Sequence, residues 1–321
     1  MLLLFVGMLP RAPHTLALTF SAALIALPPA TTVSVGPDTR LLVIAPHPDD
    51  EVLAAGGLLQ HLRAANGALR VVYLTSGEAY REGVQREDRV ASPTASNYRA
   101  YGKRREQEAY AALRALGFGA ESLSFLGFPN AGLTRLMTTY WSERRAAFRS
   151  PYTRRDRPNA PDIVVADSEF RGEDLTQELV EIMSDFRPTM ILVPRREDQH
   201  ADHCAAWFFV ADALADLTRV HPDRDVDLVT YIVHYYSWLF EDDASWTPPP
   251  PDLSGGESGW LNVPLSLGEL QTKRRALGLY KSQMDIMAWF LNGFARRNEW
   301  FSRQPRSNVT LPVRRNPCVS S

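Results

Sequence analysis

Short apolar runs alternate with longer stretches of helical periodicity along most of this 321-residue chain. The run Leu41–Ala45 is apolar at every position, which is typical of a strand buried on both faces of a sheet. Strands are predicted at residues 41–45, 69–75, 122–126, 163–166, 190–193 and 228–235, and helices at 51–66, 103–116, 175–186, 201–220 and 267–294, the last intact or broken. This repeated strand–helix order predicts an α/β, Rossmann-like fold, with a mostly parallel sheet and helices on both faces.

Two segments interrupt this rhythm. Residues 134–162 contain a short amphipathic piece and then a loop rich in proline and arginine. Residues 246–260 contain four consecutive prolines and a pair of glycines, which favour an irregular surface excursion. We therefore expect one domain over residues 36–300 that carries both insertions, followed by a polar tail over residues 301–321.

Residues 1–32 have the pattern of a secretory signal peptide. Arg11 and His14 precede the apolar run Leu16–Leu27, and small residues follow it. The run is shorter than the roughly 20 residues that a membrane-spanning helix needs, so we expect no transmembrane span in the mature chain. The pattern predicts export to the periplasm or the extracellular space. The alternative is a cytoplasmic protein whose start codon has been assigned too early.

Composition narrows the possible partners and cofactors. Lys and Arg number 35 against 37 for Asp and Glu, giving a net charge of −2, so the basic surface of a nucleic-acid-binding protein is not expected. No Gly-x-Gly-x-x-Gly follows the first strand and no P-loop occurs, which argues against NAD and ATP. Only Cys204 and Cys318 are present, which excludes a zinc site of four thiolates and leaves a disulfide between them open.

The first chemically distinctive segment is His47-Pro48-Asp49-Asp50-Glu51, directly after the first predicted strand. Ligands of open α/β sheets bind beyond the carboxyl ends of the strands, and this segment begins at such an end. Helix capping by Asp49 would explain one acid. It would not explain a histidine and two further acids around Pro46 and Pro48, so the segment predicts a site.

A second cluster, Asp198-Gln199-His200-Ala201-Asp202-His203, follows the strand predicted at residues 190–193. His200 and His203 are three residues apart and project to one side of a helix. The chain has only seven histidines, so a pair at a second strand end favours a site over a polar loop. Mixed imidazole and carboxylate ligands suit zinc with one coordination position open to water.

The two clusters, in this order, resemble the metal motifs of the LmbE/PIG-L family of zinc-dependent N-acetylglucosamine deacetylases. Further matches lie after the second strand, in the next helix and in the last helix, at Thr75–Glu78, Arg105, Glu108, Leu116, Gly117, Lys273, Tyr280 and Gln283. The resemblance spans about residues 41–284. It implies a hydrolase that removes the acetyl group from an N-acetylated amino sugar or its conjugate.

The resemblance also implies a role for each matched residue. His47, Asp50 and His203 would bind the metal, which is Zn²⁺ or another divalent metal such as Fe²⁺. Asp49 would be the general base that takes a proton from the attacking water. His200 would stabilise the oxyanion or donate a proton, and Asp202 would orient a histidine.

Arg105 would contact the substrate, and Asn130 stands where the family often has a substrate-binding aspartate. Ala201 replaces a frequent proline, and the 134–162 insertion is too long for the rim of the site to be predicted by analogy with the family. The alternative function is a non-catalytic, zinc-containing sugar-binding protein on the same scaffold, although a binder has no need of Asp49. The oligomeric state is left open by the sequence.

Overall fold

The computed structural model describes residues 32–159, 161, 163–235, 238, 246–255, 259–304 and 310–318. The predicted signal peptide at residues 1–32 therefore lies almost entirely outside the described residues. The strands of the sheet are β1 (Arg40–Ala45), β2 (Ala68–Thr75), β3 (Leu123–Phe128), β4 (Met190–Pro194), β5 (Asp227–Tyr231), β6 (Trp260–Pro264) and β7 (Asn298–Arg303). They lie in the order β3-β2-β1-β4-β5-β7-β6. The first five strands pair in parallel, and β7 pairs antiparallel with β5 and β6.

Helices cover both faces of this sheet. They are α1 (Asp50–Ala64), α2 (Arg81–Asp88), α3 (Ala95–Ala115), α4 (Leu133–Leu136), α5 (Gly172–Phe186), α6 (Ala201–Val220), α7 (Leu267–Leu277) and α8 (Lys281–Gly293). Leu41 and Val43 pack with α1, α3 and α7, whereas Leu42 and Ile44 pack with α5 and α6. Every side chain of β1 from Leu41 onward is thus buried. The predicted α/β fold, with a mostly parallel sheet and helices on both faces, is confirmed. Among the described residues, no helix is both long and apolar enough to cross a bilayer.

Two predicted strands are changed by side chains that take their backbone hydrogen bonds. The strand predicted at residues 163–166 is wrong, because Val164 and Val165 donate their N–H groups to the Glu178 carboxylate at 2.9 and 3.1 Å. The strand predicted at residues 228–235 ends at Tyr231. Beyond it, the N–H groups of Val233 and His234 donate to Asp198 Oδ2 at 2.8 and 3.1 Å. In both places, a buried carboxylate accepts the backbone N–H hydrogen bonds that a neighbouring strand would otherwise accept.

The boundaries of two helical regions also differ from the prediction. Helix α3 begins eight residues before the predicted residue 103, because Thr94 and Asn97 form a capping box at its N-terminus. The C-terminal region predicted over residues 267–294 is the broken pair α7 and α8 rather than one helix. Helix α2 was not predicted, because only Gly83 and Val84 of its eight residues are buried and its apolar pattern is therefore weak.

The sheet extends past the predicted start of the polar tail at residue 301, because β7 runs to Arg303. An ion pair buried in the core joins this strand to α1. Lys273 Nζ lies 2.7 Å from Glu299 Oε1 and donates to the Leu53 carbonyl at 2.9 Å. Glu299 in turn accepts the N–H groups of Gly57 and Leu58 at 2.7 and 2.9 Å. The C-terminal region thereby holds the first helix in place through charge-assisted hydrogen bonds.

Cys204 and Cys318 form a disulfide across 114 residues, which settles the pairing that the sequence left open. Cys204 lies on α6 directly after His203. Leu311 is 6% exposed and packs in the same apolar cluster as Cys204, so the segment 310–318 is held to the domain by packing as well as by the bond. Part of the predicted polar tail is therefore integral to the fold.

Reduction of this disulfide should destabilise the protein. A bond that closes a loop of this length restricts the unfolded chain, and its loss typically lowers the free energy of unfolding by about 2–4 kcal/mol. Urea unfolding with and without reductant measures the difference, and a Cys318→Ser variant should be insensitive to reductant. Equal free energies of unfolding for the oxidised and reduced wild type would contradict this expectation.

Candidate active site and metal centre

The two polar clusters meet because β1 and β4 are neighbours in the sheet. The first cluster continues from the carboxyl end of β1 into α1, and the second continues from β4 into α6. Parallel neighbours end at the same edge, so both clusters lie in the crevice beyond it. His47, Asp50 and His203 are buried there, at 7%, 1% and 0% exposure.

Three ligand atoms of this group form a compact triangle. His203 Nε2 lies 3.2 Å from both His47 Nδ1 and Asp50 Oδ2, and the third side, from His47 Nδ1 to Asp50 Oδ2, is 3.4 Å. Ligands at 2.0–2.1 Å from a tetrahedral metal are about 3.3 Å apart. The spacing of the three atoms therefore fits a single divalent cation.

The hydrogen bonds on the far side of each ring point to the same conclusion. His203 Nδ1 faces Asp198 Oδ2 at 3.2 Å, and His47 Nε2 faces Asp202 Oδ2 at 3.4 Å. These carboxylates favour a proton on the nitrogens that face them, so His203 Nε2 and His47 Nδ1 present lone pairs. The three atoms at this distance repel one another unless a positive charge lies among them, either a metal cation or a proton on His203 Nε2 that is shared with Asp50.

The charges of the group are strongly coupled. Burial alone would raise the pKa of the Asp50 carboxyl, but His203 and His47 hold that pKa well below its usual range. Burial would lower the pKa of His203, but Asp198 and Asp50 raise it well above its ordinary value. The carboxylate of Asp50 is thus kept ionised, as a metal ligand must be.

Asp49 occupies the N-cap position of α1 without capping it, since its side chain accepts no hydrogen bond from the first turn. Its φ of 121° is strained for a residue other than glycine, and such strain is typical of functional positions. The side chain accepts a hydrogen bond from Arg105 Nη2 at 3.1 Å. Burial raises the pKa of Asp49 to about 7, against the opposing charge of Arg105, which suits a general base near neutral pH.

Arg105 is 4% exposed, and both terminal nitrogens of its guanidinium donate to protein groups, whereas Nε has no partner among the described residues. Besides Asp49, the guanidinium donates to the Gly77 carbonyl at 2.9 Å and the Pro48 carbonyl at 2.6 Å. The structure therefore places Arg105 as a positioning residue for Asp49. The substrate contact expected from the family resemblance stays a prediction.

Glu51 supports the same turn from the other side. Its carboxyl accepts the Asp49 N–H at 3.2 Å and the hydroxyl of Tyr280, and burial raises its pKa to about 8. Glu51 is fully buried, so it is more than a solvated acid at a helix N-terminus. Tyr280 thus links the start of α8 to the strained turn.

Asp202 and Asn130 form a buried network beside His47. Asp202 Oδ2 accepts the Asn130 side-chain amide at 3.0 Å and the Ala131 N–H at 2.7 Å, in addition to facing His47. Asn130 Oδ1 accepts the Ala79 N–H at 2.8 Å. Asp202 therefore orients a histidine, as its predicted role requires, and Asn130 holds Asp202 in place.

His200 lies at the mouth of the group, with its ring 4.7 Å from that of His47. Its Nδ1 accepts the Asp202 N–H at 3.2 Å, which leaves Nε2 as the protonated nitrogen of the neutral ring. Burial and the charges of His47 and His203 lower the pKa of His200 to about 3. His200 is therefore neutral near pH 7 and can donate a hydrogen bond from Nε2 to a substrate oxygen.

Two residues of the site were not identified from the sequence. His234 lies outside both sequence clusters, but its ring lies 4.8 Å from that of His203 and 5.0 Å from that of His200. It follows a strand end, and that position could have indicated a site residue. Asp198 belongs to the second cluster, but its role as the partner of His203 depends on a contact that the sequence does not reveal.

Comparison with known proteins identifies the family. The sequence profile of PIG-L, described as GlcNAc-PI de-N-acetylase, matches residues 42–214, a range that contains both clusters. The chain belongs to the PIG-L family.

A Salinispora arenicola protein named 1D-myo-inositol 2-acetamido-2-deoxy-alpha-D-glucopyranoside deacetylase is 37% identical over 87 residues, which are 27% of each chain. A Mycobacterium tuberculosis protein of the same name is 42% identical over 81 residues, 25% of this chain and 26% of its own. The chain thus matches only about a quarter of the length of these curated relatives.

Solved structures share the PIG-L fold over most of the chain. The conserved protein TT1542 from Thermus thermophilus has a TM-score of 0.51 at 22% identity, covering 84% of this chain and 96% of that one. The N,N'-diacetylchitobiose deacetylase from Pyrococcus horikoshii has a TM-score of 0.51 at 16% identity, covering 83% of both chains. These similarities support the architecture alone.

Metal analysis of variants tests the PIG-L metal centre. His203→Ala should abolish stoichiometric binding of a divalent metal, because one corner of the ligand triangle is lost. Asp202→Asn should weaken metal binding about 10–100-fold, because the carboxylate that orients His47 is removed. Elemental analysis after dialysis measures both effects, with His221→Ala at the far end of α6 as the matched control. A His203→Ala variant that retains wild-type metal content would overturn the assignment.

Proposed function

We propose that this protein is a zinc-dependent amide hydrolase that removes the acetyl group from an N-acetylglucosamine-type amino sugar or its conjugate. The observation that carries the proposal is the buried carboxylate of Asp49, with its raised pKa and strained backbone, beside the triangle of metal ligands. Membership of the PIG-L family and the deacetylase names of the curated relatives support it.

Each residue of the site has a separate role in the proposed reaction. A divalent metal bound by His47, Asp50 and His203 would acidify water and polarise the acetamide carbonyl. Asp49 accepts the proton of the attacking water at its carboxylate, and Arg105 holds that carboxylate in position. Asp49 then returns the proton to the amide nitrogen as the C–N bond breaks, which releases acetate and the free amine. His200 donates its Nε2 hydrogen to the carbonyl oxygen as negative charge develops there. The pKa of about 3 favours this hydrogen-bonding role over donation of a proton.

A non-catalytic sugar-binding protein is the second candidate. It would need the ligand triangle but would gain nothing from a strained, buried aspartate, because backbone strain and burial of a carboxyl both destabilise the fold. Such features persist where a function requires them. The arrangement around Asp49 therefore favours the enzyme.

Export to the periplasm or the extracellular space is part of the proposal. The pattern of residues 1–32 supports it, and so does the disulfide between Cys204 and Cys318. Structural disulfides persist in oxidising compartments and are rare in the cytosol.

An acetate-release assay on N,N'-diacetylchitobiose and other N-acetylated glycans tests the activity. Asp49→Asn should lower kcat about 10²–10⁴-fold, since it removes the general base while the metal ligands remain. Zinc content should be unchanged, and Asp38→Asn, an exposed acid far from the site, serves as the control. If zinc binds, no amide is cleaved and the Asp49→Asn variant is indistinguishable from wild type, the sugar-binding protein is the correct function.

The pH dependence of kcat tests the role of Arg105. The guanidinium lowers the pKa of Asp49, so Arg105→Gln should raise that pKa and move the acidic limb of the profile to higher pH. Each pKa unit of displacement leaves about tenfold less of the base form on that limb. Arg105→Lys should restore part of the shift, and Arg114→Gln, exposed on the same helix, should change nothing. A uniform loss of kcat without displacement would mean that Arg105 has only a structural role.

A further inference from the structure

A cavity of about 270 Å³ lies beside the catalytic group, between α3 and the inserted segment 134–162. Its walls include Glu78, Arg99, Lys103, Thr153, Arg155 and Asn159. Three of these residues come from the insertion, the segment that interrupts the strand–helix rhythm of the sequence. The cavity is therefore built partly from the insertion and partly from α3 and the ends of the strands.

A short series of hydrogen bonds connects the cavity to the metal ligands. Glu78 Oε1 accepts the Asn130 N–H at 3.1 Å, and the Asn130 side chain donates to Asp202 at 3.0 Å. Asp202 faces His47. Glu78 follows β2, and the nearby wall residue Gly127 lies near the end of β3, so the cavity opens at the same edge of the sheet as the catalytic group.

Positive charge predominates on the walls. Arg99 and Lys103 are four residues apart on one face of α3, and Arg155 faces them from the insertion. Glu106 is already bonded to Ser76 and Lys103, at 2.7 and 2.9 Å. Arg99 donates to the Thr153 carbonyl at 2.8 Å, whereas Arg155 has no carboxylate partner among the described residues. Partial burial and the charge of Arg99 lower the pKa of Arg155 against the opposing charge of Glu78, which indicates two arginines close together with one carboxyl group near them.

Glu78 places a hydrogen-bond acceptor without a partner in the same cavity as these cations. Its side chain is 6% exposed, and Oε2 has no hydrogen-bond partner among the described residues. An unpaired buried carboxylate oxygen is unfavourable, so a donor from a bound molecule would stabilise it. A hydroxyl group of a sugar or polyol supplies such a donor.

From the excess of cationic wall residues, with Arg155 and Arg99 close together and Arg155 in no direct ion pair among the described residues, and from the free acceptor of Glu78, we propose that this cavity is a substrate subsite for an acidic conjugate. It binds a carboxylate or phosphate on the part of the molecule attached to the N-acetylglucosamine ring, while Glu78 accepts one of its hydroxyls. This inference rests on the proposed deacetylase function and narrows its substrate class to N-acetylglucosamine conjugates that carry an anionic group.

Binding to the zinc-loaded Asp49→Asn protein tests the subsite without turnover. The probes are N,N'-diacetylchitobiose, which is neutral, and the β1,4-linked disaccharide of N-acetylglucosamine with N-acetylmuramic acid, which adds one carboxylate. N-acetylglucosamine 1-phosphate and free N-acetylglucosamine form the phosphate pair. In at least one pair, the acidic member should bind about tenfold tighter or more, because charge-assisted hydrogen bonds to arginine form. The pair that shows the preference identifies the anion as a carboxylate or a phosphate.

Arg155→Gln should remove that preference and leave the affinity for the neutral probes unchanged. Arg154→Gln, an exposed neighbour that loses the same charge outside the cavity, should retain it. Three outcomes would overturn the subsite. The acidic and neutral probes could bind equally well in both pairs, or the preference could survive in Arg155→Gln. The third outcome is that neither acidic probe binds. If the preference is present but no N-acetylated glycan is deacetylated by the wild type, the proposed function fails and the anion site stands. If the wild type deacetylates neutral glycans but neither acidic probe is preferred, the proposed function stands and the subsite fails.

Discussion

The mutual repulsion of His47 Nδ1, His203 Nε2 and Asp50 Oδ2 is the constraint on which the rest of this structure depends. Three electron-rich atoms 3.2–3.4 Å apart are unfavourable in a buried crevice without a positive charge, which a bound metal or a proton on His203 supplies. Asp198 and Asp202 on the far sides fix the orientation of the two rings. The fold therefore holds these candidate ligands in a fixed geometry that suits a divalent metal.

Much of the surrounding structure serves to hold these side chains still. Glu51 and Tyr280 support the strained turn at Asp49, and Arg105 holds its carboxylate. The Lys273–Glu299 ion pair joins the backbone of α1 to β7 across the core. These buried charges are stable only because each is paired, and the removal of one partner would leave the other uncompensated. The same arrangement that stabilises the fold thus maintains the geometry of the site.

The edge of the site has a different origin from its centre. The candidate metal ligands and Asp49 come from the segments that follow β1 and β4. Arg155, Thr153 and Asn159 come from an insertion that packs over the same edge of the sheet. A fixed centre with a variable rim allows one reaction to serve different substrates, because the specificity lies in loops that the scaffold tolerates.

The sequence by itself determined the strand–helix order, the parallel sheet and the two polar clusters, because apolar periodicity and strand-end motifs are local properties. The roles of His47, Asp50 and His203 as metal ligands and of Asp202 as an orienting residue were implied by the family resemblance, and the structure brings these four residues together. Only the tertiary structure revealed that Asp198 and His234 join the group, that Arg105 holds Asp49, and that Cys204 pairs with Cys318. It also showed that Glu178 and Asp198 replace predicted strand pairing with side-chain acceptors. These features depend on contacts between residues far apart in the chain, and no periodicity along the sequence encodes which distant carboxylate, guanidinium or thiol will meet a given partner.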